Sequence, residues 1–167
     1  MKKSKAAFIF FAAFLLTACG YHLRGMGDGA TVNFKNVYLE GASGPLRDYF
    51  YEQLRISSGK LVDNPTGADL HIKVINENFH NREVSLNASG YSNEIELNYR
   101  LEFQLAGANN TYLPADRPLT ITRAYFNDQQ EILAKNNEEQ VIRVEMYRQA
   151  VRTILDRART KIQTKAK

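Results

Sequence analysis

Three histidines, one cysteine and an alternating run of glutamates are the residues of this chain whose types could support chemistry. Histidines close together can hold zinc, and two carboxylates on one strand face can act as general acid and base once a neighbour shifts one of them. His22, however, stands in a Gly-rich stretch. His71 and His80 occupy positions of opposite parity, which puts them on opposite faces of any regular strand. Neither spacing is that of a zinc site. Glu94, Glu96 and Glu102 share one strand face, but they alternate with apolar residues and read as the wet half of an amphipathic strand. No G-x-S-x-G elbow, phosphate-binding loop or G-x-G-x-x-G turn occurs. The chain is expected to have no catalytic residue, no metal site and no cofactor, and so not to be an enzyme.

The cysteine carries a different chemistry. Cys19 closes the run Leu16-Thr17-Ala18-Cys19, which resembles the lipobox of bacterial lipoproteins, where the thiol is diacylated and the chain is cut just before it. Upstream, Lys2, Lys3 and Lys5 precede the uncharged stretch Ala6 to Leu16, the n- and h-regions of a signal peptide. A spanning helix needs roughly 20 apolar residues, more than this run supplies. Residues 1–18 are therefore expected to be a cleaved signal peptide, with a covalent lipid on Cys19 anchoring the rest. Acyl chains contribute ~0.8 kcal/mol per buried CH₂, and two or more hold a protein stably at a membrane. As the only cysteine, Cys19 leaves no internal disulfide to form. In enteric-type lipoproteins an Asp after the cysteine retains the protein in the inner membrane. Gly20 stands there instead, so the expected location is the outer membrane, facing the periplasm.

Loss of residues 1–18 removes three of the 22 Lys+Arg and none of the 18 Asp+Glu, and the formal net charge falls from +4 to +1. The remaining cations are interspersed with acids, unlike the massed basic face of a nucleic-acid binder, so no nucleic-acid partner is expected. Residues 19–30 contain Gly20, Gly25, Gly27 and Gly29 and read as a flexible tether. Residues 31–167 are enough for one ordinary core and too few for two.

Within that domain, Val32 to Leu39 has the β-branched and aromatic composition of a strand. Ser43-Gly44-Pro45 supplies a cap and a first-turn proline, and Leu46, Phe50 and Leu54 follow at helical spacing with Gly59 past the end. Leu61 and Val62 form a brief extended piece. Leu70, Ile72 and Val74 alternate in a strand that continues less regularly towards Phe79 and Leu86. The cleanest signal is Ile95, Leu97, Tyr99, Leu101, Phe103 and Leu105 in strict alternation with polar residues, one face buried and the other wet. The turn-rich Asn87 to Asn93 makes these two strands a hairpin. Leu119, Ile121, Arg123 and Tyr125 form a further strand, in which Arg123 interrupts the apolar file, so that the strand lies at an edge or its opposite face carries the burial. A long helix runs from about Asn137, its cap, to Ile162, with Val141, Val144, Tyr147, Val151, Ile154, Leu155, Ala158 and Ile162 facing the core and a charged, solvated outer face from Arg143 to Arg159. The order β-α-β-β-β-α predicts an α+β fold, a mixed or antiparallel sheet of about four strands with two helices packed on one face.

Cys19-Gly20-Tyr21-His22-Leu23-Arg24-Gly25, the Gly44-Pro45-Leu46 helix opening, Tyr125-Phe126-Asn127-Asp128, and the run from Ile132-Leu133-Ala134-Lys135-Asn136-Asn137-Glu138 to Glu145-Met146-Tyr147 together resemble the LPS-assembly lipoprotein family, LptE. The likeness runs from Cys19 to about Leu155. It implies a small partner that plugs the outer-membrane β-barrel LptD, helps it assemble, and contacts lipopolysaccharide during delivery to the cell surface. The family's lysine ahead of the long helix corresponds to Lys135, where an ammonium beside free helix N–H groups suits a phosphate of lipid A. The family's basic residue in the loop between the central strands has no counterpart in Asn87 to Asn93, and Arg82 is the nearest one upstream. The alternative is a lipoprotein that binds lipid or serves envelope assembly on its own.

Overall fold

The structure, a computed structural model, describes residues 34–86, 92–114, 117–126 and 132–165, with side chains at 86, 92, 132–136 and 163–165 excepted. Cys19, the signal peptide, the tether and the hairpin turn at 87–91 lie outside the described residues. The element order is β1 (Asn36–Glu40), α1 (Gly44–Ile56), β2 (Lys60–Val62), β3 (Leu70–Leu86), β4 (Ser92–Gly107), β5 (Leu119–Phe126) and α2 (Ile132–Lys165). The five strands form one mixed sheet in the order β2-β1-β3-β4-β5. The β2–β1 and β1–β3 pairs are parallel, and β3–β4 and β4–β5 antiparallel. This is the expected α+β architecture, with the brief extended piece at Leu61 and Val62 completed as an edge strand.

One apolar cluster joins the two helices to one face of the sheet. It takes Leu46, Phe50 and Leu54 from α1, Met146, Ala150, Val151, Ile154, Leu155 and Ala158 from α2, and the alternating residues Val37, Leu39, Leu70, Ile72, Leu97, Tyr99, Leu101 and Phe103 from the strands. The opposite face, here the outer face, carries the polar members of the alternation. Ser43 caps α1 as its sequence predicts, its hydroxyl accepting from the Leu46 N–H at 3.3 Å. Gly59 is required where α1 turns back to the sheet, because a Cβ there would stand 2.6 Å from the Phe34 carbonyl oxygen.

Three expectations change. β3 is not one regular strand: Val74 pairs with Phe103 and Asn76 with Glu102, so Ile75 is an inserted residue that bulges out and is 56% exposed. The bulge reverses parity. Leu70, Ile72 and Val74 face the helices before it, and Glu77 and Phe79 do so after it. His71 and His80 consequently share the outer face, opposite Ala106 and Asn98. Nine residues of strand still hold them roughly 30 Å apart, too far for one metal.

The second change is the start of α2. It begins at Ile132, so Asn137 lies inside the helix as an exposed residue and not at its cap, and Glu138 and Glu139 lie beyond the first turn. Ile132, Leu133, Ala134 and Lys135 are serviceable helix formers, and an asparagine inside a helix costs only a few tenths of a kcal/mol over such neighbours. Third, Val141 is 58% exposed. The buried stripe continues upstream through half-buried Arg143 and Glu139, which pair with each other at 2.8 Å. Arg143 is thus part of the packing, its guanidinium 4.5 Å from the centre of the Phe79 ring. Of the two readings of Arg123, the edge is the one realised, since β5 pairs with β4 alone, and Arg123 reaches Gln149 of α2 at 2.6 Å.

Candidate functional site

The β3–β4 hairpin is the longest feature of the sheet, with strands of 17 and 16 residues. β1 pairs with β3 only from Leu70 to Lys73, so the hairpin projects as a narrower ribbon of β3, β4 and β5 towards the turn at 87–91. At about 3.3 Å per residue each strand extends roughly 50 Å. Its outer face presents Asn78, His80 and Arg82 from β3, Glu94, Glu96, Asn98, Arg100 and Glu102 from β4, and Thr120, Thr122, Ala124 and the 68% exposed Phe126 from β5. Arg82 pairs with Glu96 at 3.1 Å, Arg100 with Glu102 at 2.9 Å, and Asn98 donates to the Thr122 hydroxyl at 3.3 Å. This is a hydrated, nearly self-neutralised surface. It offers no cluster of like charge and, with its carboxylates paired to arginines or exposed, no group set up for acid–base catalysis. Among the described residues no group of three or more His, Cys, Asp or Glu could hold a metal ion.

The two candidate contacts for lipopolysaccharide fall at the same end of the molecule. Arg82 is in the distal part of β3, and Lys135 is in the first turn of α2, which follows β5 after a short connection. They are not neighbours, since Arg82 belongs to the outer face and α2 lies on the other. Lys135 is within the helix start rather than ahead of it, in the turn whose backbone N–H groups have no intrahelical acceptor. Arg82 is engaged with Glu96, so an anionic ligand there would have to compete with a carboxylate.

Sequence reasoning missed the joint that sets the hairpin against the helices. The Glu77 carboxylate accepts from the Ser43 N–H at 3.0 Å, the Ser43 hydroxyl at 2.8 Å and the Tyr99 hydroxyl at 3.0 Å. It thereby ties the cap of α1 to the first turned-in residue after the bulge. Tyr99 stacks on Phe79 with ring centres 4.3 Å apart, and Tyr147 of α2 meets both edge-on at 5.3 Å. Burial, and then the Glu77 charge, push the Tyr99 phenol far above its usual range, and the same two causes raise that of Tyr147. Nearer the ribbon, burial and a hydrogen bond to Glu139 push the Tyr125 phenol up to about 12. Tyr99 and Tyr125 stay protonated and donate to Glu77 and Glu139, which fixes the layers. The only signal in the sequence was a lone Glu between two asparagines, indistinguishable from a solvated residue until the bulge is known.

A second polar knot lies on the outer face at the other end of β3. His71 is 6% exposed, the one buried polar side chain among the described residues. Its Nδ1 lies 2.9 Å from the Asn110 carboxamide oxygen and its Nε2 3.3 Å from Glu40, while Tyr38 and Tyr112 flank the ring. Glu40 also pairs with Lys73 at 3.1 Å, which lowers the carboxyl pKa and raises that of the ammonium. The knot fastens the loop after β4 to the sheet. Its imidazole is occupied on both sides, which speaks for structure and not catalysis.

With the long hairpin and the two helices that back it described, the chain can be set beside its relatives. The family model described as LptE, lipopolysaccharide-assembly, matches residues 31–158. An LPS-assembly lipoprotein LptE of Pectobacterium atrosepticum is 30% identical over 147 residues, covering 86% of this chain and 78% of the relative. One from Yersinia enterocolitica is likewise 30% identical over 147 residues, covering 86% and 70%. Among solved structures, an uncharacterized lipoprotein B from Nitrosomonas europaea is similar with a TM-score of 0.67 and 28% identity, covering 86% of this chain and 93% of that one. The rare lipoprotein B of Shewanella oneidensis follows at 0.63 and 27%, covering 78% and 98%. The chain belongs to the LptE family of lipopolysaccharide-assembly lipoproteins.

Proposed function

We propose that this chain is the lipoprotein subunit of the outer-membrane lipopolysaccharide translocon, held to the membrane by acyl chains on Cys19 after loss of residues 1–18, seated within the LptD barrel as a plug, and aiding both barrel assembly and delivery of lipopolysaccharide. The observation that carries this reading is the hairpin. A ribbon roughly 50 Å long exceeds the ~25 Å apolar band of an outer-membrane barrel, so it can reach through a lumen. Apart from Phe126 and Ala124 near its distal end, its outer face is polar and largely internally paired, as suits the polar interior of a large barrel. Its layers are tied together by the Glu77 hydrogen bonds and the Phe79, Tyr99 and Tyr147 ring cluster, which fits a plug and folding template. Lipopolysaccharide contact is assigned to the distal end, through Lys135 at the helix start with Arg82 on the other face.

Detergent extraction of the tagged protein from its own membrane tests this directly. One barrel protein is expected to co-purify in equal amount. Recovery of the protein alone would overturn the plug reading in favour of a lipoprotein that works by itself.

A further inference from the structure

The end of the domain opposite the hairpin tip has a composition of its own. Strand registers set Lys60 beside Asn36, Val37 beside Leu70, and Leu70 beside Gly107, so the starts of β2, β1 and β3 and the end of β4 form one rim. The last turn of α1 closes onto the same rim, with the Gly59 N–H donating to the Leu54 carbonyl at 2.8 Å and the Lys60 N–H to the Lys35 carbonyl at 2.8 Å. Ile162 of α2 also reaches it, about 4.0 Å from where a Gly107 Cβ would be.

Exposed at this rim are Lys35, Arg55 and Lys60, and between them Ile56, which at 72% exposure is the most exposed large apolar side chain described. Half-buried Asp69 also lies at this rim, its carboxylate engaged by the Lys35 and Asn36 backbone N–H groups at 2.9 Å. A protruding aliphatic residue ringed by cations has the make-up of an interfacial membrane contact, where the apolar group enters the headgroup boundary and the cations meet anionic headgroups. The chain leading back to Cys19 departs from this rim at Phe34. Its fourteen intervening residues span at most about 50 Å when extended.

We infer that this rim is a docking surface for the anionic phospholipid headgroups of the leaflet that holds the anchor. It orients the domain with the hairpin pointing away from that leaflet. The inference rests on the lipid-anchor part of the proposed function. It differs from lipopolysaccharide contact, which is assigned to the far end.

The test uses the chain from Gly20 onward, made without acyl groups. It retains every residue of the core, which runs from Phe34 to Ala158. Sedimentation with phosphatidylcholine vesicles, with or without about a third phosphatidylglycerol, reads the surface alone. Binding is expected only to the anionic vesicles, and is expected to be lost in high salt. Each cation near an anionic surface raises partition roughly fivefold, so Lys35→Gln/Arg55→Gln/Lys60→Gln should weaken binding on the order of a hundredfold. Ile56→Ser should weaken it without changing the salt dependence, and Arg100→Gln/Arg148→Gln, which removes cations from mid-molecule, should not. Thermal unfolding of each variant separates lost contact from lost fold.

Equal binding to neutral and anionic vesicles, or a triple variant that is folded and binds as well as the parent, would overturn the inference. So would a triple variant that loses lipopolysaccharide binding in place of phospholipid binding. Barrel co-purification, measured separately on the acylated protein, shows whether the translocon reading stands when this one fails.

Discussion

Glu77 links the cap of α1, the bulged strand and the core of β4 through one side chain. Its carboxylate receives three hydrogen bonds, two from the cap of α1 and one from the core phenol of Tyr99. Hydrogen bonds to an ionised group contribute about 1.5–3 kcal/mol each, less where water can substitute. Glu77→Ala leaves Tyr99 and the Ser43 N–H without that acceptor, and is expected to lower unfolding stability by about 2–4 kcal/mol with the urea m-value unchanged. Glu77→Gln keeps an acceptor oxygen and should fall between the two. A loss below about 0.5 kcal/mol for the alanine variant would show that Glu77 is merely solvated. Lys135 poses the opposite case. Lys135→Asp places an acid in the first turn of α2, which the helix dipole favours, so the melting temperature should hold within a few degrees. Lipopolysaccharide binding by the purified domain should weaken about tenfold or more, the loss of one charge-assisted contact. Equal binding would remove Lys135 from the site.

At the scale of elements, β4 and α1 were legible because every local rule agrees there. Strict alternation from Ile95 to Leu105 admits one buried face, and Ser43, Pro45 and the Leu46, Phe50, Leu54 stripe fix a helix and its start. β3 was half legible. Ile75 is as apolar as Val74, so nothing in the residue types announces that it is skipped by the register, and the outward turn of His80 and inward turn of Glu77 follow only from the bulge. The start of α2 was displaced because Asn137 is an acceptable cap by type, while the four residues that extend the helix upstream carry no distinctive mark. The motif residues of the candidate site were readable as types, but their grouping at one end depends on the same bulge and helix start.

The bulge itself has a visible support in Gly41. This residue has φ +76°, and a Cβ added to it would stand 2.5 Å from the Val74 carbonyl oxygen. Gly41→Ala therefore combines a left-handed backbone with a backbone clash. It is expected to cost about 1–3 kcal/mol. Amide exchange should quicken most in the paired segments around Val74 and Phe103, and uniform quickening along the chain would argue against a local role.

For the whole molecule, the division of labour between the two ends can be tested apart from folding. The buried core lies between the sheet and the helices and along the hairpin ends with Leu97 and half-buried Ile95, whereas His80, Asn81, Arg82, Glu83 and Val84 are all exposed. Exposed ribbon contributes little hydrophobic stabilisation, so removing it should cost the domain little. Replacing residues 82–96 by a two-residue Asn-Gly turn, which joins the antiparallel pair Asn81 and Leu97 in register, shortens the ribbon by roughly 20 Å. The shortened protein is expected to unfold within about 2 kcal/mol of the parent in urea. It should nevertheless lose most of the barrel protein that co-purifies with the full-length chain, because the segment removed is the part of the hairpin that projects beyond the core and is taken to enter the lumen. If the shortened chain retains its partner in equal amount, contact lies at the periplasmic mouth and the hairpin is not the plug. If it fails to fold, the ribbon belongs to the core, contrary to the exposure of its side chains.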